Sequence, residues 1–203
     1  AAESAREAEQ RLAASRAAQV TAVEEAERAK EEDHRRYQEL LAASESVSER
    51  LASTSGNSRT ATVSTTGSGT FVRPGTGSVT SSFGSRMHPI LGYVKQHTGT
   101  DLAPGDGYIY AADSGVVAEA RWDNAYGNMV VVDHGVIDGS HVATLYAHQA
   151  GLSVSEGETV GRGQPIGTVG STGYSTGPHL HFEVRVNGTP VDPWPWIADA
   201  PMP

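Results

Sequence analysis

The spacing of apolar positions divides the chain into two kinds of pattern. Through residue 53 large apolar side chains are sparse, with Leu12, Val20 and Val23 among alanines, then Tyr37, Leu40, Val47 and Leu51 at a/d spacing. Between them lie Ala, Glu, Arg and Gln, which are good helix formers. Glu7 with Arg11, Glu24 with Arg28, Glu31 with Arg35 and Glu32 with Arg36 form favourable i,i+4 pairs. The pattern predicts one long helix over 1–53. Its thin seam reads as a piece of a coiled coil or helical hairpin; a solvated single helix is the alternative.

Residues 54–78, SGNSRTATVSTTGSGTFVRPGTGSV, have no helical period and are rich in Ser, Thr and Gly. They predict a flexible linker with one short strand at Phe71-Val72, leaving the helix positioned independently of the C-terminal region. From 79 to 203 the period changes to two, in short runs broken by Gly, Pro, Asn and Asp. The runs are Gly115 to Trp122, Asn128 to His134, His141 to Ala147, Pro165 to Val169 and His179 to Val186. This predicts an all-β domain of antiparallel sheets, a compact sandwich or partly closed barrel, behind a long helical segment.

Composition sharpens the boundary, since all 23 glycines and all 10 prolines lie after residue 55. At 203 residues there is room for one ordinary domain and an appendage. Cysteine is absent, so a transition-metal site would have to come from His, Asp and Glu. No stretch approaches 18 apolar residues and no leader pattern opens the chain, so neither a transmembrane helix nor a signal peptide is expected. The net charge of −9 and the lack of a basic stripe argue against a nucleic-acid partner.

The candidate chemistry lies in three histidine motifs. In HLHFEVRV, strand alternation puts His179, His181, Glu183 and Arg185 on one face and Leu180, Phe182, Val184 and Val186 on the other. The apolar face is the expected core, and the histidine face is left free for chemistry. Two histidines at i and i+2 are close enough for one to hold a metal and the other to meet a water beside it.

In HTGTD, His97 and Asp101 flank Gly99, an extended or turned segment that lets both converge. Together with one histidine of the HxH pair they make a two-histidine, one-carboxylate set, suited to a catalytic Zn²⁺ with a fourth position open to water. In TLYAH, alternation puts Thr144, Tyr146 and His148 on one face. No HExxH is present, so a glutamate base is missing and an imidazole would have to carry protons.

Taken together, SSFGSRMHPILG (81–92), HTGTDLAP (97–104), AYGNMVVVDHG (125–135), TLYAH (144–148), VSEGETVGRGQPIGTVGSTGYSTGPHLHFEVRVNG (154–188) and PVDPWPWI (190–197) resemble the lysostaphin-type zinc endopeptidases of peptidoglycan. The resemblance implies an antiparallel fold over a groove. It implies zinc ligands at His97, Asp101 and His181, and a catalytic pair at His148 and His179. It further implies a peptidoglycan substrate, either a glycine-rich bridge or a direct cross-link between stem peptides, and an extracytoplasmic location. One departure is Ala103-Pro104-Gly105-Asp106-Gly107-Tyr108-Ile109-Tyr110-Ala111, where the family often reads APxGTPVYA.

His34, His88, His134 and His141 fall outside the ligand set; Arg86 and His88 are assigned to structural hydrogen bonds near the groove, which Tyr93 and Tyr146 could line. The N-terminal helix is a candidate contact for a cell-division or envelope protein. It, or a linker residue such as Asn57, could also hold the site latent. The alternative function is a non-catalytic relative that binds the wall or activates another hydrolase.

Overall fold

The computed structural model describes residues 2–57, 70–87 and 94–203. The sequence expectations at His88 and Tyr93 lie outside the described residues. The first element, α1 (Ala2–Asn57), is the long helix. The chain divides into two compact units, Ala1–Gln38 and Glu39–Pro203. The first unit is helical, and its described side chains up to Glu32 are exposed to solvent.

The second unit is built on strands. In chain order they are β1 (Val79–Ser81), β2 (Gly84–Met87), β3 (Val94–His97), β4 (Thr100–Leu102), β5 (Tyr108–Tyr110) and β6 (Gly115–Asp123). They continue with β7 (Gly127–Ile137), β8 (Ser140–Leu152), β9 (Thr159–Val160), β10 (Pro165–Val169), β11 (Leu180–Val186) and β12 (Thr189–Val191), closed by a one-turn helix α2 (Trp194–Ile197). The main sheet runs β1-β4-β11-β8-β7-β6-β9, with β12 on β11 and with β10 bridging β8 to β5. β2 and β3 form a separate hairpin, and the pairings are antiparallel.

All five strands expected from alternation are present. The others are mostly two to four residues long and owe their extended form to pairing, so a pattern of apolar positions cannot reveal them.

One face of the sheet carries Val130, Val132, Tyr146, Phe182 and Val184, packed against Ile109, Ile166, Ile197 and Phe71. Phe71 and Val72 do not form a strand. Both are buried, Val72 donates to the Ala112 carbonyl at 2.8 Å, and the Phe71 ring lies 5.1 Å from that of Trp196. Residues 71–78, read from sequence as linker, thus belong to the packed unit because a large apolar pair outweighs the polar residues around it.

The other face carries Tyr126, Met129, Val131, Ala143, Leu145 and Ala147, and α1 covers it. Val47 and Leu51 are buried there, with Leu40 and Ala43 packed alongside. Within this unit the seam read as coiled coil meets a sheet instead of a helix. An apolar stripe at helical spacing specifies a face to bury and not the partner that buries it. The expected independence of the helix fails for residues 39–57 on the same ground.

Candidate functional site

The site stands where β4 and β11 pair. His181 on β11 is opposite Asp101 on β4. His97 ends β3, and Thr98-Gly99 carry the chain across to β4. The segment is therefore extended with a bend at the glycine, as HTGTD suggested. A Cβ at Gly99 would stand 2.4 Å from the Phe182 carbonyl oxygen and 2.9 Å from His181 Cε1 and Nε2. Only a residue without a side chain lets the two strands close on the imidazole.

Three ligand-type atoms converge. His181 Nδ1 lies 2.9 Å from Asp101 Oδ1, and His97 Nε2 lies 3.1 Å from each of them. Four-coordinate zinc with bonds of about 2.0–2.1 Å would need ligand separations of about 3.3 Å, so the cluster is close to that size.

Charge makes the fit more specific. Burial pushes the Glu183 carboxyl up, but Arg185 and the bond from His181 outweigh it and hold it at about 2. His181 Nε2 faces this carboxylate at 3.1 Å, so a neutral ring keeps its proton there and turns a bare Nδ1 toward Asp101. Two acceptors at 2.9 Å repel unless positive charge joins them. Without a metal, a second proton must do so. Burial lowers the His181 pKa, but hydrogen bonds to Asp101 and Glu183 dominate and raise it to about 9. Asp101 is the mirror image: burial raises its pKa, while bonds from His181 and His97 carry it well below the carboxylate range. The residues present therefore fit a bound cation.

His97 is braced from outside. Its Nδ1 faces the Ser82 carbonyl at 2.8 Å, and the Arg86 guanidinium bonds the same carbonyl and meets the same ring edge. Arg86 thus sits where a structural role beside the site was expected.

Two further imidazoles flank the cluster. The rings of His148 and His179 are 4.8 Å apart, and that of His148 is 5.9 Å from His181. Each gives its Nδ1 proton to a carbonyl at 2.8 Å, His148 to Thr172 and His179 to Gly177. Their neutral forms therefore carry a bare Nε2. For His179 that atom is 3.9 Å from Asp101 Oδ1. Burial first, then the positive charge of His181, drive the His148 pKa down to about 3.

Simple alternation misplaces His148. Tyr146 packs on Phe182 in the core and donates no surface to the site; its hydroxyl meets Thr144 and the Ala112 amide. His148 has φ 60°, and the register of β7 on β8 steps from Asn128↔Gln149 to Val130↔Tyr146. One extra residue on β8 is a bulge, which turns His148 to the opposite face, beside His181.

Nor is the histidine face free along its length. Glu183 and Arg185 are fully buried, and Arg185 bonds to Ser44 of α1. Glu183 Oε1 accepts from Thr98 Oγ1 at 2.6 Å, Tyr126 Oη at 2.9 Å and His181; Oε2 accepts from Arg185 Nε at 2.7 Å. Period two had already aligned Glu183 with His181, but nothing local in sequence pointed to Thr98 or Tyr126. Two of the remaining described histidines do other work. His134 is locked between the Ser114 carbonyl and the Thr144 hydroxyl, and His141 pairs with Asp133 at 2.9 Å.

Comparison with known proteins places the domain that carries these residues. Residues 95–193, the span from β3 to the end of the main sheet, match peptidase family M23. The catalytic domain of lysostaphin from Staphylococcus simulans superposes with a TM-score of 0.51 at 34% identity, covering 61% of this chain and 93% of that domain. The chain belongs to peptidase family M23. A zinc containing peptidase from Vibrio cholerae is 38% identical with a TM-score of 0.55, over 67% of this chain and 41% of that one. The DD-carboxypeptidase/endopeptidase Mpg of Neisseria meningitidis is 47% identical over 116 residues, 57% of this chain. The chain spans only 26% of that relative, so the match concerns the M23 domain. No helix among the described residues is long and apolar enough to cross a membrane.

Proposed function

We propose that this chain is a zinc-dependent endopeptidase that hydrolyses peptide cross-links or stem peptides of bacterial peptidoglycan, outside the cytoplasm. One observation carries the reading: His97, Asp101 and His181 present three acceptors to one point, with two carbonyl-anchored imidazoles beside them. Zinc as the ion is favoured by the nitrogen-rich donor set and by the zinc peptidase among the structural relatives.

His97 Nε2, Asp101 Oδ1 and His181 Nδ1 would hold the metal. When bound, zinc lowers the pKa of a water and polarises the scissile carbonyl. His179 is the proton carrier: its bare Nε2 takes a proton from the attacking water and returns it to the departing amine as the C–N bond breaks. His148, kept neutral by burial, is an acceptor and orients that water. Asp101 and Glu183 keep His181 in one tautomer, and Gly99 keeps its ring in place.

A bond between D-residues is the favoured substrate, on the strength of the name of the Neisseria relative. The test is digestion of purified sacculi and defined muropeptides with and without a chelator, with products identified by mass. Loss of a cross-linked dimer that stops with chelator is expected. Unchanged sacculi with zinc bound would sink the enzymatic reading in favour of a wall-binding relative.

A further inference from the structure

Two serines interrupt the apolar stripe by which α1 packs on the sheet. Ser44 is 7% exposed and lies between Leu40 and Val47 on the buried side, and Ser48 is part-buried beside it. Burying hydroxyls on a face otherwise held by Val47 and Leu51 is unfavourable unless they are bonded. Both are bonded to one group. Arg185 Nη2 donates to Ser44 Oγ at 2.9 Å, and Nη1 donates to the Ser44 carbonyl and to Ser48 Oγ, each at 2.9 Å.

On its other edge the same guanidinium grips Glu183 Oε2, with Nε at 2.7 Å and Nη2 at 2.6 Å. Its remaining partners, the Gly188 carbonyl and Tyr126 Oη, are at 3.4 Å. The short bonds that set the plane of Arg185 therefore come from the helix on one side and Glu183 on the other. Glu183 in turn holds His181 Nε2.

We infer that the C-terminal part of α1 is a positioning element of the metal site: Ser44 and Ser48 orient Arg185, Arg185 orients Glu183, and Glu183 fixes the ring of His181. This rests on the metal-site reading above. The helix acts here through the sheet, from beneath the ligand. Carboxylate partners of metal-bound histidines set ring orientation and ligand basicity, and loosening them weakens the metal by about 10- to 100-fold. Thr98 and Tyr126 also hold Glu183, so loss of the serines should have a smaller effect than loss of Glu183 itself.

The experiment uses the full chain, loaded with Zn²⁺ for release kinetics and with Co²⁺ for its visible absorption. Ser44→Ala/Ser48→Ala should release zinc to a chelator roughly 3- to 10-fold faster and should shift the Co²⁺ bands. Leu51→Ala removes an apolar contact of the same helix, leaves the serine bonds to Arg185 in place and serves as the control. At a comparable fall in melting temperature it should leave zinc release and the Co²⁺ spectrum unchanged. Parent-like release in the double serine variant, or equal acceleration in Leu51→Ala, overturns the inference. A parent chain that takes up no zinc overturns the metal-site reading itself, and this inference with it.

Discussion

His148 and Tyr146 are two residues apart on β8, yet their rings lie on opposite faces of the sheet. The left-handed backbone at His148, with one extra residue on its strand, is what separates them. Tyr146 is spent on the core, and His148 joins His179 beside the proposed ligands.

That arrangement separates proton transfer from metal binding. His179→Ala and His148→Ala should each retain zinc, while turnover on a muropeptide dimer falls by about a hundred- to ten-thousand-fold. His181→Ala should lose the metal. Zinc content and steady-state rates on the same preparations distinguish the two classes; zinc loss in His179→Ala would make it a ligand.

Gly99 should tolerate no side chain. An added Cβ meets the Phe182 carbonyl and the His181 ring, so Gly99→Ala must spread β4 from β11 or tilt the imidazole. We expect about 1–3 kcal/mol lower stability and weaker zinc binding, read by thermal melting and chelator competition.

His181 contributes to the pH dependence of the metal-stripped chain. Its folded pKa, about 9, is raised above the ordinary 6.5, so its contribution to stability is full below pH 6.5 and fades as pH rises through 9. His148 has the opposite sign: its pKa is depressed to about 3, so its contribution is present above 6.5 and is lost as pH falls toward 3. The melting temperature of the stripped chain should therefore fall on both the acid and the alkaline side. Zinc must displace the His181 proton, so its affinity should climb with pH by about tenfold per unit until near 9. Titration calorimetry in buffers of different ionisation heat would register the released proton.

Truncation should respect the packed unit. Deleting residues 1–38 is expected to leave the melting temperature and zinc content of the β domain unchanged. Deleting 1–57 uncovers Met129, Val131 and Leu145 and removes the burial of Val47 and Leu51, a loss of about 3 to 6 kcal/mol. Latency imposed by residues 1–38 is then tested by the shorter deletion: faster hydrolysis of sacculi supports it, and an unchanged rate leaves only residues 39–78 to impose it.

Much of the candidate site was legible because its residues sit in short local patterns. HxH, HTGTD and TLYAH name all five residues, and period two aligns Glu183 with His181. What escaped is non-local. The bulge at His148 is a matter of strand register, and Tyr126 and Thr98 reach Glu183 across 57 and 85 residues of chain. The destination of the Leu40–Leu51 stripe was equally hidden, since a helix, a sheet or solvent can all face the same spacing.

Sequence by itself determined the change of period near residue 54, the β character of the C-terminal domain, the amphipathic stripe of the helix and the residue types at the site. These arise from alternation, propensity and the donor chemistry of each side chain, which are local properties. Tertiary structure alone decided that the stripe lies on the sheet, that Phe71 belongs to the core, that His148 turns to the His181 face, and that a buried arginine joins two helix serines to a histidine. Each depends on which surfaces meet once the chain is folded, and burial sets the energy of that meeting.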